Sequence, residues 1–229
     1  EKEKLYFIVG DVSGKGIPAS LVMAVTCRLF RTIAYNVETP EGIVATLNDA
    51  LSESNESFMF CTAFVGILDL KSGELRYCNA GHNPPIILQP DGNVLPMKIV
   101  PNLALGVWQG FEYQGESCIV ENGSTLLIYT DGVTEAENCN KELYGEQRLL
   151  SVLQGQAHLT PHQIIDHVLE DIAQHVKDAD QNDDITMLCC SIGELRDKNC
   201  CRQIVLRNKT EEISRMSEFI TQFAEEFNL

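Results

Sequence analysis

Apolar and polar positions change period repeatedly along this chain of 229 residues, and each change predicts an element. Residues 4–9 are rich in β-branched and aromatic side chains and read as a strand. A glycine-rich turn follows, and Pro18 can open a helix that carries Leu21, Val25, Leu29 and Ile33 at a spacing of four. Thr39 and Pro40 cap and start a second helix, with Ile43, Leu47 and Leu51 on one face. Residues 60–69 and 74–79 then read as strands joined by Lys71-Ser72-Gly73, and a strand over 86–89 ends at the turn Pro90-Asp91-Gly92-Asn93. Further strands are predicted over 94–100, 117–120, 125–130 and 185–191. Helices over 145–154 and 161–176 precede the last of these, and the second has Pro161 in its first turn and a capping box of Thr160 with Gln163. Strands come in runs and so do helices, which predicts an α+β fold of two stacked antiparallel sheets flanked by helix pairs.

Composition narrows the partners. The net charge of −16, from 17 basic and 33 acidic residues, argues against nucleic acid and against an anionic membrane surface. No apolar run is long enough to cross a bilayer and no signal peptide opens the chain, so a cytoplasmic location is expected. The opening E-K-E-K-L-Y-F reads as the start of an excised piece. Nine cysteines form no C-x-x-C: Cys27, Cys61, Cys78, Cys118 and Cys139 are isolated, while Cys189-Cys190 and Cys200-Cys201 are vicinal. Reduced thiols, mostly buried, are expected rather than disulfides or zinc. His158, His162, His167 and His175 lie in or beside one helical stretch without the partners a zinc set needs, and read as a polar helix face.

Three aspartate-bearing turns stand next to strand-like runs: G-D-V-S-G-K-G at 10–16, T-D-G at 130–132 and N-D-D-I-T at 182–186. Remote carboxylates gathered at strand ends are suited to hard divalent cations, which points to metal-assisted phosphoryl hydrolysis. The first turn is not a P-loop, because Lys15 is followed by Gly16 and the glycine spacing is too short. An acidic surface repels phosphorylated substrates at long range, so such chemistry needs local cations.

With A-G-H-N-P-P at 80–85 and Y-T-D-G-V-T-E-A at 129–136, these turns resemble the PPM family of metal-dependent serine/threonine protein phosphatases. More narrowly, they resemble its bacterial SpoIIE/RsbU-type branch. The likeness spans residues 4–192 and implies a phosphatase domain over 1–194. It implies two Mn²⁺ or Mg²⁺ ions, bridged by Asp11, with the Val12 carbonyl on one of them and Asp131 and Asp183 completing the other site. Asp184 would stand behind Asp183. The implied reaction is attack by a metal-activated water on phosphoserine or phosphothreonine, without a phospho-enzyme. The family also carries an acidic motif on a preceding strand that these residues lack, which implies one ion held well and the second poorly. His82 is expected to stabilise its turn rather than act as a general acid, and Lys15 to be a solvated turn lysine rather than a contact for substrate phosphate.

The resemblance also implies a phosphorylated anti-anti-sigma (STAS-domain) protein as substrate, an upstream sensor domain in the full-length chain, and a possible homodimer. It implies that the two helices after the first turn can move on activation and carry Asp11 and Val12 with them. Two rival readings are a phosphatase-fold binding module and a hydrolase of small phosphate esters. Residues 200–229 read as a strand over 202–207 and an amphipathic helix with Ile213, Met216, Ile220, Phe223 and Phe227 on its apolar face. That tail resembles the opening of an anti-sigma serine kinase domain of the GHKL ATPase superfamily, with a terminal strand-helix cap on the phosphatase as the other reading.

Overall fold

In the computed structural model, which describes residues 4–53, 55, 58–179, 183–193 and 205–206, two antiparallel sheets stack face to face. One holds β1 (Lys4–Val12), β2 (Cys61–Asp69), β3 (Glu74–Ala80) and β6 (Glu116–Ile119), in the order β1-β2-β3-β6. The other runs β5-β4-β7-β8-β9, from β4 (Ile86–Leu88), β5 (Val94–Pro96), β7 (Thr125–Tyr129), β8 (Met187–Ser191) and β9 (Val205–Leu206). The first sheet is covered by α1 (Ile17–Ile33) and α2 (Pro40–Ser52), the second by α4 (Glu146–Leu153) and α5 (Pro161–Val176). The expected α+β sandwich is borne out.

Strand alternation sorts the side chains into three apolar layers. On β2, Cys61, Ala63, Val65 and Ile67 face α1 and α2, whereas Phe64 and Leu68 face the opposite sheet. On β7, Leu127 and Tyr129 face α4 and α5, whereas Leu126 and Ile128 point between the sheets. Both faces of these strands are therefore buried, which is why they read as nearly continuous apolar runs. Each fully buried Leu, Ile or Phe contributes roughly 1.5–3 kcal/mol.

The helix starts follow their signals. Thr39 accepts from the Gly42 N–H at α2, and the Thr160 and Gln163 capping box closes reciprocally at α5. The face of α1 differs from expectation. Leu21 and Val25 are 57% and 49% exposed, and the buried positions are Thr26 and Phe30. A row at strict spacing of four advances 400° per step, so it winds off the face that the sheet covers. The 94–100 strand is shorter than expected and ends at Pro96. Beyond it the main chain finds partners elsewhere, with the Met97 N–H donating to the Pro85 carbonyl and the Val100 N–H to the Glu116 carboxylate. In the tail, Val205 and Leu206 pair with Cys189 and Leu188 as an edge strand, while the amphipathic helix expected after it lies outside the described residues. No helix of the described residues is long and apolar enough to cross a membrane.

Candidate metal centre

The acidic turns converge where the two sheets meet at one end of the sandwich. Asp11 is the next-to-last residue of β1, opposite Thr62 on β2. Asp131 opens a one-turn helix, α3 (Asp131–Thr134), directly after β7, and Asp183 precedes β8. Because β7 and β8 are hydrogen-bonded neighbours, the Asp131 and Asp183 turns are held side by side. The Thr130 N–H donates to the Thr186 carbonyl at 3.1 Å, and the Thr186 N–H donates to Thr130 Oγ1 at 3.0 Å. Thr130 Oγ1 in turn donates to the Asp184 carbonyl at 3.2 Å. Asp11 arrives from the other sheet. One carboxylate oxygen from each of Asp11, Asp131 and Asp183 then lies within 4.8 Å of the other two.

That arrangement is electrostatically costly on its own. Burial, and then the charges of Asp131, Asp183 and Asp184, raise the Asp11 carboxyl from 3.8 to about 6. Asp131 Oδ1 is buried and has no hydrogen-bond partner. Lys15 Nζ stands 3.6 Å from Asp183 Oδ1, with its side chain 72% exposed, too solvated to offset three clustered carboxylates. Asp183 Oδ1 also accepts from the Asp184 N–H at 2.9 Å. An orphaned buried carboxylate oxygen beside two more oxygen donors fits a hard divalent cation. Asp184 is exposed and stands outside the three-carboxylate group. The side chain of Val12 is buried, which leaves its main chain for any role at the site.

A family model for stage II sporulation protein E (SpoIIE) matches residues 1–193. The chain belongs to the SpoIIE family. Protein IcfG of Synechocystis sp. is 29% identical over 211 residues, covering 80% of this chain and 33% of that protein. The phosphoserine phosphatase RsbU of Bacillus subtilis is 27% identical over 140 residues, covering 61% of this chain and 42% of RsbU. This chain thus spans only about a third to two fifths of these curated relatives. Among solved structures, the RsbU and RsbW domains of Rv1364c from Mycobacterium tuberculosis superpose with a TM-score of 0.65 at 27% identity, covering 82% of this chain and 51% of that one. The resemblance read from the four motifs is borne out.

The SpoIIE-family motif at 80–85 builds a buried support beside the aspartates. His82 is 3% exposed, and its main chain is clamped from both sides by Asn79: Asn79 Nδ2 donates to the His82 carbonyl at 2.8 Å, and the His82 N–H donates to Asn79 Oδ1 at 2.7 Å. The ring Nδ1 lies 3.0 Å from Thr62 Oγ1, and that hydroxyl donates to the Asp11 carbonyl at 3.4 Å. Burial lowers the imidazole to about 4, so it is neutral near pH 7. Sequence reading missed Thr62, which sits in no motif and is marked only by its register opposite Asp11.

His162 and His175 make local contacts. His162 pairs with Asp166 one turn along α5 at 3.2 Å, and His175 Nε2 lies 3.0 Å from the Glu142 carbonyl. Among the described residues, the three aspartates are the one cluster of metal-type ligands. The seven cysteines among the described residues are free thiols, with Cys61, Cys78 and Cys189 buried and Cys27 and Cys139 exposed.

Proposed function

We propose that this chain is a Mn²⁺- or Mg²⁺-dependent protein serine/threonine phosphatase acting in a bacterial partner-switching pathway, with a phosphorylated STAS-domain protein as substrate. The observation that carries the metal part is the meeting of three remote carboxylates around a buried Asp131 oxygen with no donor of its own. Asp11, Asp131 and Asp183 would hold the ions, helped by the Val12 carbonyl, with Asp184 behind them. Bound divalent ions supply charge neutralisation and an acidified water at such a centre.

The chain's own residues fill the other roles. Asp11 comes to the site from one sheet and Asp131 and Asp183 from the other, so a shift of β1 against the second sheet would change the ligand geometry. Lys15, on a glycine-flanked turn beside Asp183, would be a cation available to an incoming phosphate. Direct attack by water, rather than a covalent intermediate on sulfur or imidazole, is favoured by the state of the thiol and ring nearby. The Cys61 thiol is buried and pushed up to about 12, and His82 is enclosed. The phosphoserine part of this reading follows the name of RsbU, a phosphoserine phosphatase, and the STAS-domain protein follows from the motif resemblance alone. A cytoplasmic setting and an upstream sensor domain in the full-length protein belong to the same reading.

The test is Mn²⁺-dependent phosphate release from a phospho-STAS protein and from p-nitrophenyl phosphate, with wild type and Asp131→Ala. The reading expects turnover of the phosphoprotein by wild type, and none by a variant that stays folded. No turnover of either substrate would leave a binding module, and turnover of the small ester alone would leave a small-ester hydrolase. Unchanged activity in Asp131→Ala removes the centre itself.

A further inference from the structure

We infer that His82 is a positioning residue that sets the Asp11 main chain through the Thr62 hydroxyl. The inference rests on the metal-centre reading above and assigns a task to a residue that touches none of the three carboxylates.

The proton count defines the link. A threonine hydroxyl has one hydrogen, and Thr62 directs it to the Asp11 carbonyl. Thr62 Oγ1 and His82 Nδ1, 3.0 Å apart, share a hydrogen whose owner depends on the tautomer; with the hydroxyl turned to the Asp11 carbonyl, the ring supplies it from Nδ1. A neutral ring has only that one N–H, so Nε2 is left as a bare lone pair. Nε2 is buried without a partner, and the other tautomer would strand an N–H there instead of a lone pair. Leaving a buried polar atom unsatisfied costs about 1–3 kcal/mol, so a simpler turn residue would be more stable here. The Asn79 clamp and the parallel bridge between Ala63 and Gly81 hold the ring at Thr62 despite that cost. The result is a relay of fixed geometry from the 80–85 turn across β2 to β1, ending on the residue whose carboxylate faces Asp131 and Asp183.

The test uses Mn²⁺ binding to the full chain without substrate, read by electron paramagnetic resonance of the free ion, together with thermal melts. Asparagine can place an amide N–H where Nδ1 stands, whereas glutamine reaches toward Nε2. Thr62→Val and His82→Gln are expected to weaken Mn²⁺ binding about tenfold, the lower end for residues that orient metal ligands, and His82→Asn to restore it to within about threefold of wild type. The double variant Thr62→Val/His82→Gln should be no worse than Thr62→Val alone, since both cut one link. Wild-type affinity in Thr62→Val overturns the inference, as does His82→Asn as weak as His82→Gln. If a histidine variant fails to fold, the ring ¹⁵N shifts of wild-type His82 decide instead, a protonated Nδ1 being expected and a protonated Nε2 overturning the inference. A wild type that binds no Mn²⁺ sinks the metal-centre reading instead, a different result from binding that no variant moves.

Discussion

Gly132 lies directly against the main-chain carbonyl of Asp184, where a Cβ would overlap the oxygen. This contact makes the turns bearing Asp131 and Asp183 a single backbone unit, tied further by Thr130 to Thr186 and Asp184. The glycine is required here by close approach rather than by an unusual φ. Substitution by alanine must push the Asp184 carbonyl away, and Asp183 moves with it. Gly132→Ala is expected to cost about 1–3 kcal/mol of stability and to abolish Mn²⁺ binding. Urea unfolding and a Mn²⁺ titration read the two effects, and retention of wild-type affinity would show that the turns move independently.

A contrast comes from the far side of the second sheet. Arg148 on α4 donates to both oxygens of Asp171 on α5, at 2.7 and 3.1 Å, and its guanidinium lies 5.2 Å from the Tyr144 ring centroid. The planar fork cannot be reproduced by an ammonium group. Arg148→Lys is expected to lower stability by about 1 kcal/mol, a value kept small because the pair is partly exposed. Mn²⁺ affinity and turnover should be unchanged. A loss of metal binding in this variant would mean that the α4–α5 layer is coupled to the centre through Val133 and the segment that joins α3 to α4.

Legibility in the sequence followed the range of the forces involved. Strands such as β2 and β7 were readable because burial on both faces imposes an apolar run regardless of context. The caps at Thr39 and Thr160 were readable because they act within four residues. The α1 face was misjudged because Leu21 and Val25 repeat at a plausible spacing, and only the position of the sheet decides which side is covered. The aspartates were legible through turn motifs. Thr62 was not, because its link to Asp11 depends on β1–β2 register, a property of two strands separated by two helices. The stapling of the 103–110 loop by Asn48 and Asn55 was hidden for the same reason: Asn48 Oδ1 accepts from the Gly106 N–H at 3.0 Å, and Asn55 Nδ2 donates to the Gly106 carbonyl at 2.9 Å.

Thiol reactivity gives a test of the layers. Burial raises the Cys61, Cys78 and Cys189 thiols to about 12, so the reactive thiolate is scarce as well as shielded. Cys139 is exposed, and Cys27 is exposed but also shifted upward by desolvation. Iodoacetamide at pH 8, followed by peptide mass spectrometry, is expected to modify Cys139 first, Cys27 more slowly, and the three buried thiols only after denaturation. Early labelling of Cys61 would contradict the packing of β2 under α1.

The raised Asp11 carboxyl makes two opposite pH dependences, one without metal and one with it. Its folded value of about 6 exceeds the ordinary 3.8, so the folded chain binds this proton more tightly than the unfolded chain does. In chelator, ionised Asp11 therefore opposes folding above about pH 6, and that opposition is relieved as pH falls through 6 toward 4. Asp11→Asn removes the charge at every pH, so at pH 7.5 in chelator it should melt higher than wild type and lose this part of the pH slope. With Mn²⁺ the sign reverses, because the ion needs the ionised form and competes with the proton. Wild-type affinity should fall by about tenfold per pH unit below 6, and Asp11→Asn should show no Mn²⁺-induced rise in melting temperature at any pH. Paired thermal melts from pH 5 to 8, with chelator and with Mn²⁺, measure both slopes. If Asp11→Asn melts below wild type in chelator at pH 7.5, the carboxylate is stabilising in the empty site, and mutual repulsion among Asp11, Asp131 and Asp183 is not what calls for a cation there.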